Sequence, residues 1–139
     1  MSGDAPETPA RKTVLVVDDA LSMLRLHSVF LEHAGFRVLA AESGAAGLEA
    51  MASDLPDLVV LDYMMPEMDG PEFLRRMRSD PSFSRVLVLV LTATDEQEHI
   101  SAAFEAGGND YLSKPVDRRT LVARVKAMVD GAPSDRRVA

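Results

Sequence analysis

The chain contains no cysteine, which removes disulfides and thiolate-held metals from consideration. Tryptophan is absent too, and with two Tyr and five Phe the core has to be built from aliphatic side chains and methionine. No apolar run approaches the roughly 20 residues of a membrane span; the longest, residues 86–91, has the length of a strand. Basic residues are outnumbered, 15 to 22, for a net charge of −7, a balance that disfavours a nucleic-acid backbone as direct partner. Residues 1–10 hold Asp4, Pro6, Glu7 and Pro9 but no apolar stretch. They read neither as a signal peptide nor as an anchor, so no membrane association is expected and the expected compartment is the cytosol.

What is present centres on one stretch, Asp57-Leu58-Val59-Val60-Leu61-Asp62-Tyr63-Met64-Met65-Pro66-Glu67-Met68-Asp69-Gly70. Leu58 to Leu61 reads as a strand buried on both faces, and it ends abruptly on Asp62. Pro66, Asp69, Gly70 and Pro71 then force a loop and open a helix, with Pro71 suited to its first turn. A carboxylate at the carboxyl end of a buried strand stands where open α/β sheets place their ligands.

The 139 residues fit one domain over 12–130, with flexible tails at 1–11 and 131–139. Thr13 to Val17 is a second doubly buried strand and stops on Asp18-Asp19. From Ala20 to Ala34, Met23, Leu26, Phe30, Leu31 and Ala34 keep helical spacing, and Gly35 supplies the cap. His27 falls on that stripe as a structural residue, while Leu21 and Leu24 fall off it and form a candidate exposed patch. A strand over 36–41 precedes a helix over 43–52, with Ser43 as N-cap and Leu48 and Met51 inward. A third helix over about 70–79 buries Phe73, Leu74 and Met77 and leaves Arg75, Arg76 and Arg78 in solvent. After a turn at Asp80-Pro81-Ser82 comes a strand over 85–91, ending at Thr92. Thr94 to Gln97 resembles a capping box for a thinly apolar fourth helix closed by Gly107-Gly108. A short strand, Asp110-Tyr111-Leu112, gives way to Ser113-Lys114-Pro115 and a fifth helix over about 117–129 that buries Leu121, Val122, Val125 and Met128.

Strand and helix thus alternate five times, which predicts an α/β fold. Its five-stranded parallel sheet is doubly wound in the flavodoxin-like order 2-1-3-4-5, with the switch point between the first and third strands. The strand ends then gather Asp18-Asp19, Asp62, Thr92 and Lys114 at one edge. Two carboxylates about 4 Å apart repel by roughly 4 kcal/mol at an effective dielectric near 20, so such a cluster needs a cation or a raised pKa. Oxygen-only ligands favour Mg²⁺, which commonly binds beside phosphate. Lys114 adds a point charge and Thr92 a hydroxyl donor, a set suited to the three oxygens of a transferred phosphoryl group.

These residues resemble a family. Asp18-Asp19, the run from Asp62 through Pro66 to Met68-Asp69-Gly70, Thr92-Ala93 and Lys114-Pro115 together look like the CheY-like receiver domain of two-component response regulators, over residues 12–129. The resemblance implies that Asp62 accepts a phosphoryl group from a phosphohistidine of a sensor histidine kinase or phosphotransfer protein. It implies that Asp19, Asp62 and the main-chain carbonyl of Met64 ligate Mg²⁺, with Asp18 acting mostly through a water. Thr92 and Lys114 would bind phosphoryl oxygens, the Lys114–Pro115 bond would be cis, and Tyr111 would be the switch aromatic that follows Thr92. Output would pass through the surface of the fourth helix, fifth strand and fifth helix, in a monomer or a phosphorylation-dependent dimer. Met64 is apolar where the family often has a polar side chain and Thr94 is uncharged, and both are expected to tune dephosphorylation.

A haloacid-dehalogenase-type phosphatase would need a second Asp where Met64 stands, and a nucleotide-binding protein a Gly-rich loop after the first strand. A phosphorylation-incompetent scaffold would not need the full set of acids, hydroxyl and lysine. No enzymatic turnover on a separate substrate is therefore expected. About ten residues follow the fifth helix, so the sequence reads as a stand-alone receiver or one excised from a longer regulator. Leu21 and Leu24, beside the acids, are candidates for contact with a kinase's helical bundle.

Overall fold

The apolar runs pair side by side because each carries hydrophobic residues on both of its faces and so needs cover on both. The computed structural model describes residues 11–93 and 97–131. In it β1 (Thr13–Val17), β2 (Arg37–Ala41), β3 (Leu58–Asp62), β4 (Leu87–Thr92) and β5 (Asp110–Ser113) form a single parallel sheet. Its order is β2-β1-β3-β4-β5, as the alternation predicts. The helices between them are α1 (Leu21–His33), α2 (Gly44–Ser53), α3 (Gly70–Arg78), α4 (Gln97–Ala106) and α5 (Arg118–Val129). A short 3₁₀ turn over Pro81–Phe83, capped by Asp80, lies between α3 and β4.

Alternation along each strand divides the core in two. Leu15, Val17, Val59, Leu61, Val88 and Val90 face Met51, Phe73, Leu74, Met77 and Ala103 from α2, α3 and α4. Val14, Val16, Leu58, Val60, Leu89 and Leu91 face Leu24, Leu31, Leu121 and Val125 from α1 and α5. Each fully buried Leu or Val contributes about 1.5–3 kcal/mol. The switch point therefore lies between two well-filled halves.

Local chemistry fixes the helix starts. The Ser43 hydroxyl accepts from the Ala46 N–H at 3.1 Å and the Asp69 carboxylate from the Glu72 N–H at 3.0 Å, satisfying amide donors that a helix start leaves open. Asp117 does the same for Thr120 at 2.7 Å. Gly35 ends α1 with φ +102°, a conformation that side chains rarely adopt. The capping box at Thr94–Gln97 falls largely on 94–96, outside the described residues, as do the tails at 1–10 and 132–139.

Two expectations are overturned. Leu24 is buried (4% exposed) and Leu26 is open (41%), so the core face of α1 is Leu24, His27 and Leu31 with Phe30 and Ala34 packed partly against it, rather than a stripe through Met23 and Leu26. The turn after β1 sets that phase: the Asp18 carboxylate accepts from the Ala20 N–H, and the Ala20 carbonyl from the Leu24 N–H. With apolar residues around most of the helix, spacing alone leaves the rotation open. Arg78 is the second correction, since it is not a solvated side chain. It donates to the Gly107, Phe83 and Ser84 carbonyls and to Asn109 Oδ1, tying the end of α3 to the turn that closes α4. A Cβ on Gly107 would sit 2.7 Å from Arg78 Cγ, so that turn needs glycine.

Candidate functional site

Because the parallel strands all point one way, their carboxyl ends share an edge. β1 runs directly into Asp18, which is buried beside exposed Asp19, and β3 ends on buried Asp62. One carboxylate oxygen from each of the three lies within 4.8 Å of the others. β5 delivers Lys114, whose Nζ stands 3.0 Å from Asp62 Oδ1 and 3.7 Å from Asp18 Oδ2. The main chain holds the lysine's base: the Lys114 N–H donates to the Thr92 carbonyl at 2.7 Å, and the Lys114–Pro115 bond is cis. Thr92 is the last residue of β4, buried, and in register with Ser113.

The electrostatics are unbalanced. Burial, helped by repulsion from Asp18 and Asp19, pushes the Asp62 carboxyl up to about 6 in spite of its bond to Lys114. Asp18 Oδ1 caps the turn at Ala20, but its Oδ2 is buried with no hydrogen-bond partner. A buried acceptor in that position normally costs free energy. A hard divalent cation would answer both features, for the donors are all oxygen and the orphaned one faces the cluster. The acidic cluster therefore fits a bound metal.

The remaining predicted residues lie around this edge. Met64, two residues past the strand, is 60% exposed. Tyr111, half-buried on β5 opposite Val90, meets Phe104 of α4 edge-on at 6.2 Å. Leu21 is exposed at the start of α1, but buried Leu24 offers nothing to a partner. Thr94 is outside the described residues. His27 is buried on the α1 core face, where desolvation lowers its pKa and favours the neutral ring.

Two features escaped the sequence. Tyr63, next to Asp62, stacks on His99 of α4 with ring centroids 4.6 Å apart. Its signal is only that an aromatic follows the strand-end acid. Asp110, at the opposite end of β5, is buried against Arg124 at 3.1 Å; an acid opening a short strand gave no cue to its partner 14 residues on.

Comparison with known proteins agrees with this geometry. A family model for the response regulator receiver domain matches residues 14–126. The phosphate regulon transcriptional regulatory protein PhoB of Pseudomonas aeruginosa is 36% identical over 118 residues, covering 85% of this chain and 52% of that protein. The response regulator MprA of Mycolicibacterium vanbaalenii is 40% identical over 116 residues, 84% and 49% of the two chains. The chain thus spans about half the length of these curated relatives. Among solved structures, a putative response regulator from Chloroflexus aurantiacus superposes with a TM-score of 0.83 at 36% identity, covering 87% of this chain and 99% of that one. The chemotaxis protein CheY4 of Vibrio cholerae gives 0.81 at 29%, covering 84% and 98%.

Proposed function

The chain belongs to the response regulator receiver family, and on that premise we propose that Asp62 is its phosphoacceptor. The observation that carries this reading is Lys114 Nζ, 3.0 Å from Asp62 Oδ1 inside a cluster of three carboxylates. With a pKa near 6, Asp62 is mainly ionised at neutral pH and can act as a nucleophile. One of its oxygens attacks the phosphorus of a phosphohistidine, the P–N bond breaks, and the imidazole departs carrying a proton. Attack by water on the acyl phosphate later releases inorganic phosphate and restores the carboxylate. No separate substrate is turned over.

Asp19, Asp62 and the main-chain carbonyl of Met64 would hold Mg²⁺, with Asp18 contributing mostly through a water; bound there, the ion neutralises phosphoryl oxygens. Lys114 transfers its hydrogen bond from Asp62 to a phosphoryl oxygen, and the Thr92 hydroxyl donates to another. Phosphorylation adds about −1.5 to −2 charge. Drawing Thr92 toward that charge shifts the connection to α4, and Tyr111 follows, so the surface of α4, β5 and α5 changes shape.

The donor is a sensor histidine kinase or a histidine phosphotransfer protein, the setting is cytoplasmic, and output is a state-dependent protein contact, as a monomer or a dimer formed on phosphorylation. Among the described residues no helix is long and apolar enough to cross a membrane. Incubation with Mg²⁺ and acetyl phosphate tests the reading: a mass gain of one phosphoryl group, lost in Asp62→Asn, is expected. No gain, or an equal gain in the variant, overturns it.

A further inference from the structure

The strand end that carries Asp62 continues into an aromatic platform. The Tyr63 N–H donates to the Leu91 carbonyl and the Gly70 N–H to the Tyr63 carbonyl, both at 2.8 Å. Residue 70 has to be small for this, because a Cβ there would stand 3.0 Å from Tyr63 Cα. On the buried Tyr63 ring lies the His99 imidazole, 4.6 Å between centroids and only 17° from parallel. His99 belongs to the first turn of α4, just before buried Ile100.

The far end of α4 is held in another way. The Gly107 carbonyl takes two bonds from Arg78, at 3.2 and 3.0 Å, and the Gly108 N–H donates to the Ala103 carbonyl at 2.8 Å. Those bonds are directional and resist displacement. A ring stack is flat and gives way sideways at small cost. A displacement at the first turn of α4 therefore moves the amino-terminal end of the helix about an anchored carboxyl end.

We propose that His99 is a positioning residue: through Tyr63 it holds α4 in the arrangement that belongs to the unphosphorylated site, and phosphorylation of Asp62 draws it off the ring. This deepens the phosphoacceptor reading and rests on it. It adds Tyr63, the residue next to Asp62, to the contacts that tie the site to α4, beside Thr92 and Tyr111. A contact made only in the resting arrangement opposes any ligand that favours the other one, and its removal tightens that ligand by the same factor. For an aromatic pair the factor is about 2- to 10-fold.

The full chain is titrated with Mg²⁺ alone and then, at fixed Mg²⁺, with beryllofluoride as the phosphoryl mimic, in the wild type, His99→Ala, His99→Phe and Tyr63→Leu. Amide exchange is followed across 97–106. His99→Ala is expected to tighten the beryllofluoride midpoint by about 2- to 10-fold and to speed exchange in α4 before the mimic is added, with the Mg²⁺ midpoint within about twofold of wild type. His99→Phe, which keeps a ring on Tyr63, restores both readouts, and Tyr63→Leu reproduces His99→Ala. General loosening would move the Mg²⁺ midpoint as well and would not be rescued by phenylalanine. Equal or weaker beryllofluoride binding in His99→Ala, or His99→Phe behaving like His99→Ala, overturns the proposal while leaving Asp62 as acceptor. Failure of beryllofluoride to bind the wild type in Mg²⁺ overturns the acceptor reading and this one together.

Discussion

Two buried ion pairs flank β5, and they are built on opposite terms. At its start, the Asp110 carboxylate meets the guanidinium of Arg124 at 3.1 Å, which also donates to the Tyr111 carbonyl, while the other Asp110 oxygen accepts from the Tyr111 N–H. Past its end, Lys114 faces Asp62 and Asp18 with Asp19 beside them, so among the described residues three carboxylates share one ammonium. The first pair is balanced and locks a strand to a helix. The second is short of positive charge, and that deficit is what a bound cation would fill. A satisfied pair reads as architecture, an unsatisfied cluster as a site.

The comparison breaks first if the balanced pair proves dispensable. Arg124→Ala leaves the Asp110 carboxylate buried without its guanidinium, and is expected to cost about 3–5 kcal/mol, read as a fall in the urea midpoint. A loss under about 1 kcal/mol would contradict the structural role.

The opposite sign is expected at the other end. Raising the Asp62 pKa from 3.8 to about 6 means that the folded state binds its proton more tightly than the unfolded one. Its penalty is absent below pH 3.8 and grows as the pH rises through 6, reaching about 3 kcal/mol at most. Without divalent cations at pH 8, Asp62→Asn is therefore expected to be more stable than wild type by about 1–3 kcal/mol. Added Mg²⁺ should stabilise the wild type and narrow that gap. A destabilised variant, or one stabilised equally by Mg²⁺, would place Asp62 in the balanced class.

His27 sharpens the contrast from within the core. Its pKa is lowered by burial, so the unfolded state takes up the proton first, and stability falls as the pH drops below 6.5. In an Asp62→Asn background, His27→Leu should flatten the decline of the urea midpoint from pH 7 to pH 5. An unchanged slope would mean that the ring titrates as freely as in the unfolded chain. The smallest expected effect is at exposed Met64: Met64→Asn should change the decay rate of the phosphorylated protein several-fold, about 1 kcal/mol in barrier. Equal decay rates would remove Met64 from the path of the attacking water.

Strands were legible because a doubly covered strand must be apolar throughout, so Val14 to Val17 and Leu58 to Leu61 leave no other reading. The gathering of Asp18, Asp19, Asp62 and Lys114 followed from parallel topology alone. Rotation of α1 did not: Leu24 and Leu26 are the same residue two positions apart, and only the hydrogen bonds of the preceding turn choose between them. Arg78 looked like its neighbours Arg75 and Arg76, which pair with Glu72 at the surface. Its burial depends on carbonyls of residues 83 and 107, and no helical period encodes them. The ring pair of Tyr63 and His99 was hidden for the same reason, since its members are 36 positions apart and meet only once α4 has docked.

Tyr63 and Tyr111 are the chain's only tyrosines, and there is no tryptophan. One phenol lies flat under the first turn of α4 and the other is met edge-on by Phe104 from the same helix. Excited at wavelengths that phenylalanine does not absorb, the protein therefore emits from two chromophores that both touch this helix. Any event that moves it should be visible to a fluorimeter without a dye or tag.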